Sequence, residues 1–150
     1  MEQTSLGAIN PRRWLVLAER SRVGARSEDE VRRALAPLRE KGWRVRHSLA
    51  WRGRGDVDSL AVAPGGIGFA IETKTSRYDD LHLAMVREQA AWLWRCRRRW
   101  CRSGVVPVLC VTRSRGAQRW KAGVLVVSID RLTPTLRWAA VLVHSARGSW

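Results

Sequence analysis

The sequence predicts an α/β domain in which helices flank a mixed β-sheet. Three observations carry that prediction. Apolar residues recur at helical spacing on both sides of residues 43–74, that stretch itself has the period of two that belongs to strands, and two short apolar runs follow further on. Each such element has one apolar face to bury, and stacking helices against a sheet buries them all in a layered sandwich.

The chain begins with a segment, residues 1–23, in which 14–18 form a short apolar stretch of no evident type, followed by a glycine-containing loop through Gly24. Residues 24–150 read as one domain. Ser27-Glu28-Asp29-Glu30 has the form of a capping box, in which the serine accepts from a free helix N–H and Glu30 reaches back. Val31, Ala34, Leu35 and Leu38 then recur at helical spacing, which predicts a helix over 28–41, weakened at Pro37 and ended by Gly42. From Trp43 the period changes. Trp43, Val45 and the region of Leu49, then 56–63, then 67–74 read as three strands, the last two joined by the turn Pro64-Gly65-Gly66. Asp79 caps a helix predicted over 80–102. Residues 105–112 and 124–129 read as buried strands, and 135–144 as a final helix.

The 150 residues amount to one domain's length. Forty-five per cent of them are apolar, which argues against a disordered basic tail, and no apolar run approaches the roughly 20 residues of a membrane span. The first residues lack a basic segment followed by an apolar stretch, so a secretory leader is not expected and cytoplasmic residence is. Cys96, Cys101 and Cys110 are odd in number and match neither a disulfide framework nor a zinc site, so structural or incidental thiols are expected. The 28 basic residues exceed the 13 acids by a net charge of +15, a field that attracts polyanions, above all nucleic acid. Only Lys41, Lys74 and Lys121 are lysines, however, and 9 tryptophans accompany one Phe and one Tyr, a skew that also resembles GC-rich coding.

The hairpin carries the chemistry. With a three-residue loop, Ala63 faces Ile67, Asp58 faces Glu72 and Asp56 faces Lys74; these four charged side chains share one face, and Val57, Phe69, Ile71 and Thr73 the other. Carboxylates directly opposed across a sheet repel each other unless something positive lies between them. A divalent cation meets that need, because Mg²⁺ takes oxygen ligands and commonly uses one or two carboxylates plus substrate phosphate. Lys74 would then orient the attacking water or offset developing charge, and the reaction class is phosphodiester hydrolysis. A chain this rich in arginine that places lysine at 74 has chosen a compact ammonium over a planar guanidinium. The plainer reading is a solvated strand face on which Glu72 pairs with Lys74.

Residues 55–74, ending Ile71-Glu72-Thr73-Lys74, resemble the core of the NERD (nuclease-related) domain of the PD-(D/E)XK superfamily, and residues 24–130 resemble it more loosely. The resemblance implies a restriction-endonuclease-like core over 24–150, with Asp58 and Glu72 holding Mg²⁺ or Mn²⁺ and Lys74 serving the water or the phosphate. Gly24-Ala25-Arg26-Ser27-Glu28 resembles the family's Gly-x-x-Gly-Glu helix start, which would add Glu28 to the catalytic acids; a first-turn acid also suits the helix dipole with no site at all. Ser27 departs from the family's second glycine, and Ser59 from a histidine the family often has after the Asp.

Gln89 falls within the predicted apolar arc of Leu81, Met85, Val86, Trp92, Leu93 and Cys96, where a polar amide needs a partner: Glu72, Lys74 or phosphate on one reading, backbone on the other. Opposite that arc, Arg87, Arg95, Arg98 and Arg102 make a basic stripe that points away from the sheet. Arg44, Arg46, Arg52 and Arg54, closer in sequence to the acids, are the candidates for guiding nucleic acid, and Trp51 in the same loop offers an aromatic contact. His47 and His82 are expected to make ordinary polar contacts. The function expected is metal-dependent cleavage of nucleic acid, DNA first, with no membrane partner. The rival is a catalytically inactive nucleic-acid-binding module of the same fold, and a homodimer or a protein partner is left open.

Overall fold

The computed structural model describes residues 10–51 and 54–147. The N-terminal residues 1–9, on which the reading of a leader rests, and the candidate Arg52 lie outside the described residues. Helix α1 spans Pro11–Glu40; strands β1 Arg44–Ala50, β2 Asp56–Val62 and β3 Ile67–Lys74 follow. Helix α2 is Asp80–Cys96, β4 Gly104–Val111, β5 Gln118–Lys121 and β6 Val124–Ser128; a short 3-10 turn, Ile129–Arg131, leads into α3, Leu132–Arg147. The six strands form one mixed sheet in the order β1-β2-β3-β4-β6-β5. The antiparallel meander β1–β3 joins β4 and β6, which run parallel to β3, while β5 pairs antiparallel with β6.

Helices α1 and α3 pack on one face of the sheet, around Val31, Leu35, Leu38, Phe69, Ile71, Leu132 and Leu136. Helix α2 covers the other, with Leu93 and Ala90 against Leu60, Val62 and Ala70, and Leu83 and Val86 against Leu109 and Val126. Cys101 and Cys110 are buried free thiols within these cores. No helix among the described residues is long and apolar enough to cross a membrane.

The three-residue loop is as expected: Ala63 N–H donates to the Ile67 carbonyl at 2.9 Å, and the ladder pairs Ser59 with Ile71 through Val62 with Gly68. Gly66 has φ +92°, and a Cβ there would lie 2.5 Å from Arg102 Cγ, so only glycine fits this turn.

Several expectations are corrected. Helix α1 does not start at Ser27. Asn10 is its N-cap, accepting from Arg12 N–H at 3.0 Å with Pro11 in the first turn, and the helix runs unbroken through Gly24. Ser27 is therefore no cap; it is the first buried residue on the face continued by Val31, Leu35 and Leu38. The turns before it leave Trp14, Leu15, Val16 and Leu17 exposed. Pro37 is accommodated inside the helix, close to its C-terminal end. Helix α2 stops at Cys96, so Arg98 and Arg102 are not on it and the basic stripe is broken; Arg87 donates to the Ala122 carbonyl and Arg102 to that of Pro64. Its buried face is Leu83, Val86, Gln89, Ala90 and Leu93, leaving Leu81 79% exposed and Cys96 exposed. Strand β5 was not expected, because its four residues are all exposed and have no apolar period. Val57 packs with Trp51, Leu60 and Val62 instead of with Phe69 and Ile71. The β1–β2 ladder skips Ser48 and Asp58, and Ser48 sits at φ 54°, so the regular alternation of the pleat is lost there.

Candidate active site

The loss of regular pairing at Asp58 makes the site. In an antiparallel ladder hydrogen-bonded pairs recur at every second position, so after Ala63/Ile67 the Thr73 N–H should serve Val57. It donates instead to Asp58 Oδ2, at 2.9 Å. The recorded ladder ends at Ser59/Ile71, and beyond it the Asp58 side chain takes a place that main chain would have filled.

Glu72 follows on β3, pointing to the α2 side like Ala70 two residues earlier. It is 8% exposed, and its carboxyl feels the side chains of both Asp58 and Gln89. Lys74, one side-chain repeat further, brings its Nζ to 3.9 Å from Glu72 Oε1 and stays partly open to solvent. Gln89, only 1% exposed, descends from α2 onto Glu72, and its Oε1 has no hydrogen-bond partner. An orphaned buried amide oxygen calls for a ligand or a water.

Burial pushes Glu72 up to about 8, helped by the neighbouring Asp58 charge and opposed by Lys74. Burial also raises Asp58, against the lowering influence of the Thr73 N–H, then of the Glu72 side chain and the Lys74 charge. Burial and the neighbouring charge thus favour a proton on Glu72, as for like charges crowded into one buried site. A divalent cation could replace that proton, so the donor set fits Mg²⁺ or Mn²⁺: two carboxylates where two strands part, an oxygen-only pair of the kind Mg²⁺ takes together with water and phosphate. Among the described residues no group of three or more acidic, histidine or cysteine side chains is placed to hold a metal ion, so the protein's share of such a site is the pair alone.

Glu28 approaches from the opposite layer. It lies in the middle of α1, not at a helix start, and its carboxyl is raised by partial burial and then by the charge of Asp58. The preceding residue holds it in register: Ser27 Oγ lies 2.9 Å from Thr75 Oγ1 and 2.8 Å from Thr112 Oγ1, tying α1 to the chain just beyond β3 and β4. This serine was missed as a positioning residue because its sequence signal, Ser-x-x-Glu, mimics a cap. The structure therefore brings Asp58, Glu72, Lys74 and Gln89 together and sets Glu28 within electrostatic reach.

The basic candidates divide. Arg44 and Arg46, on the edge strand β1, lie over the ring of Trp100 at 5.3 and 5.5 Å. Arg54 lies over Trp51 at 5.4 Å but is also paired with Glu88 at 3.1 Å, and Trp51 is buried. His47 bonds to Ser59 Oγ at 2.8 Å and His82 closes the capping box with Asp79, so both make the ordinary contacts expected of them. A groove of about 960 Å³, lined by Trp43, Ile67 and Trp138 among others, opens near Pro64 and Gly65, at the end of β3 far from Lys74.

A family model described as the nuclease-related domain matches residues 23–118, well over half of the chain and every residue of the acidic site. No curated protein and no solved structure matches. With its mixed sheet between helices, and its Asp58 and Glu72-Thr73-Lys74 at the point where two strands part, the chain belongs to the NERD (nuclease-related domain) family, within the PD-(D/E)XK-like nuclease superfamily.

Proposed function

We propose that this chain is a metal-dependent nuclease that hydrolyses phosphodiester bonds in DNA. The observation that carries the reading is the buried Glu72 carboxyl beside Asp58, whose Oδ2 is held by the Thr73 N–H, with the Lys74 ammonium 3.9 Å from Glu72. Such a crowding of acids destabilises a fold, and a site that binds a cation and a phosphate gives it a use.

Asp58 and Glu72 would hold Mg²⁺ or Mn²⁺, which supplies Lewis acidity toward the phosphoryl group and lowers the pKa of bound water. Asp58, fixed by the Thr73 N–H, keeps one oxygen in a set direction. Gln89 favours the charged form of Glu72 and presents its unpartnered Oε1. Lys74 stands at the solvent side of the pair, where its ammonium can orient the attacking water or offset charge growing on the phosphoryl oxygens. Glu28 adds negative charge at the rim, suited to orienting water.

The test is nicking of supercoiled plasmid in Mg²⁺, with EDTA and with Lys74→Ala and Glu72→Gln as controls. Cleavage by the wild type that EDTA stops and both substitutions suppress supports the reading. Equal cleavage by all three proteins overturns it, and metal-indifferent binding without cleavage would identify an inactive nucleic-acid-binding module instead.

A further inference from the structure

Trp100 gathers three guanidinium groups. Arg44 and Arg46 come from β1 and Arg97 from the C-cap of α2, with their Cζ atoms 5.3, 5.5 and 5.9 Å from the ring centroid. The ring packs against the apolar cluster of Leu60, Val62 and Ala70, so its position is set from below. Arg44 and Arg46 are exposed. The ion pairs among the described residues are Glu19–Arg22, Arg54–Glu88, Glu72–Lys74 and Asp79–His82, so none supplies a carboxylate to these three cations.

Cation–π contact holds a guanidinium in place but does not neutralise it. Three like charges crowded on one ring repel, and a polyanion relieves the repulsion. Planar guanidinium groups also suit phosphate oxygens, which accept two parallel N–H donors. With guanidinium groups lying over it, the indole is poorly placed to stack on a base. The cluster is therefore suited to phosphate and indifferent to sequence.

Its position relative to the acids follows from the strand register. Arg46 pairs with Leu60 and Arg44 with Val62, two and four residues along β2 from Asp58. At about 3.3 Å per residue these are roughly 7 and 13 Å. At about 3.4 Å per nucleotide, that span is roughly two to four nucleotides of a strand.

We infer that Arg44, Arg46 and Arg97, mounted on Trp100, form a phosphate clamp that grips the nucleic-acid backbone two to four nucleotides from the bond that is cut. The placement relative to that bond rests on the proposed nuclease reading; the phosphate binding does not.

The experiment measures binding of a fluorescent DNA duplex of about 20 base pairs by anisotropy, in EDTA, across about 50 to 200 mM salt. Wild type is compared with the Arg44→Gln/Arg46→Gln/Arg97→Gln triple variant and with a control of equal charge change, Arg13→Gln/Arg20→Gln/Arg137→Gln. Each phosphate contact contributes about 0.9 to the slope of log K against log salt, so the clamp variant should lose roughly two to three units and the control less than one. The three single substitutions, each losing about one unit, give the same reading if the triple variant folds poorly. Equal losses in the clamp and control variants, or no loss in either, overturn the clamp. Cleavage assays with Lys74→Ala report separately: no Lys74-dependent cleavage with an intact slope difference removes the nuclease reading alone. An unchanged slope with intact cleavage removes the clamp alone. Neutral methylphosphonates two to four nucleotides from the cut bond should slow wild-type cleavage and leave the clamp variant's slower cleavage unaltered; equal slowing of both overturns the placement.

Discussion

The main-chain N–H of Thr73 donates to Asp58 Oδ2 across 2.9 Å, so the strand that carries Glu72 and Lys74 also fixes the acid opposite them. One hydrogen bond thereby links the opening of the sheet to the orientation of the proposed metal ligand. Asp58→Asn can keep this bond through its amide oxygen while losing the charge, whereas Asp58→Ala loses both. We expect Asn to melt close to wild type and to cut plasmid at least about 100-fold more slowly, a loss typical of removing a preorganised electrostatic group. Ala should be as inactive and, with a backbone N–H left unpaired, less stable by about 1–3 kcal/mol. Thermal melts beside nicking rates separate the two; wild-type nicking by Asp58→Asn would remove Asp58 from the site.

Glu72 makes stability depend on pH in an unusual direction. Its carboxyl is raised from 4.5 to about 8 by burial and by Asp58, so between these values the folded chain holds a proton that the unfolded chain has released. That contribution to stability is complete below 4.5 and is lost as pH rises through about 8. In EDTA the melting temperature should therefore fall across this window, and Glu72→Gln, which cannot ionise, should flatten the fall. Divalent cation competes with the proton, so its stabilising effect should grow over the same range. A melting temperature in EDTA that rises with pH in wild type would contradict the raised Glu72 carboxyl.

Gln89 and Glu72 make a second prediction about metal. Gln89→Glu puts a third carboxylate against the Asp58–Glu72 pair in a buried position. In EDTA this variant should melt several degrees lower than wild type, since uncompensated buried charge costs about as much as the loss of a buried partner. Mg²⁺ should restore more of its melting temperature than it adds to wild type. Differential scanning fluorimetry with and without Mg²⁺ reads both quantities, and a cation effect equal to that on wild type would place Gln89 outside the metal's reach.

The hairpin and the acids were legible in the sequence for a physical reason. A three-residue glycine turn fixes register, and period-two alternation then decides which residues share a face, so Asp58, Glu72 and Lys74 follow from counting. The same counting misplaced Val57, because the pleat is interrupted where Ser48 adopts a left-handed backbone, and no sequence period announces that. Helix α1 was cut in half for a different reason. Its first turns bury nothing, so the amphipathic signal is missing there, while Ser27 and Glu30 imitate a start. Gln89 was legible as a polar residue on an apolar face, although Leu81 and Cys96 were wrongly counted with it. The Trp100 cluster joins a strand to a helix end far away in the chain, which only tertiary packing brings together.

Ser27, bonded to both Thr75 and Thr112, gives the prediction that separates positioning from catalysis. The serine touches none of the proposed reacting groups, but it fixes the turn of α1 that carries Glu28 toward Asp58. Ser27→Ala deletes two hydroxyl bonds, one buried and one partly buried, and should cost about 1–3 kcal/mol, which for a domain of this size lowers the melting temperature by about 2–12 °C. If Glu28 matters as a water-orienting acid, the variant should lose nicking rate below its melting range, and Glu28→Gln in the same background should add little further loss. Losses that multiply independently would show that Ser27 serves only the packing of α1. A variant as stable and as active as wild type would show that the serine–threonine junction does not govern the approach of α1 to the acids.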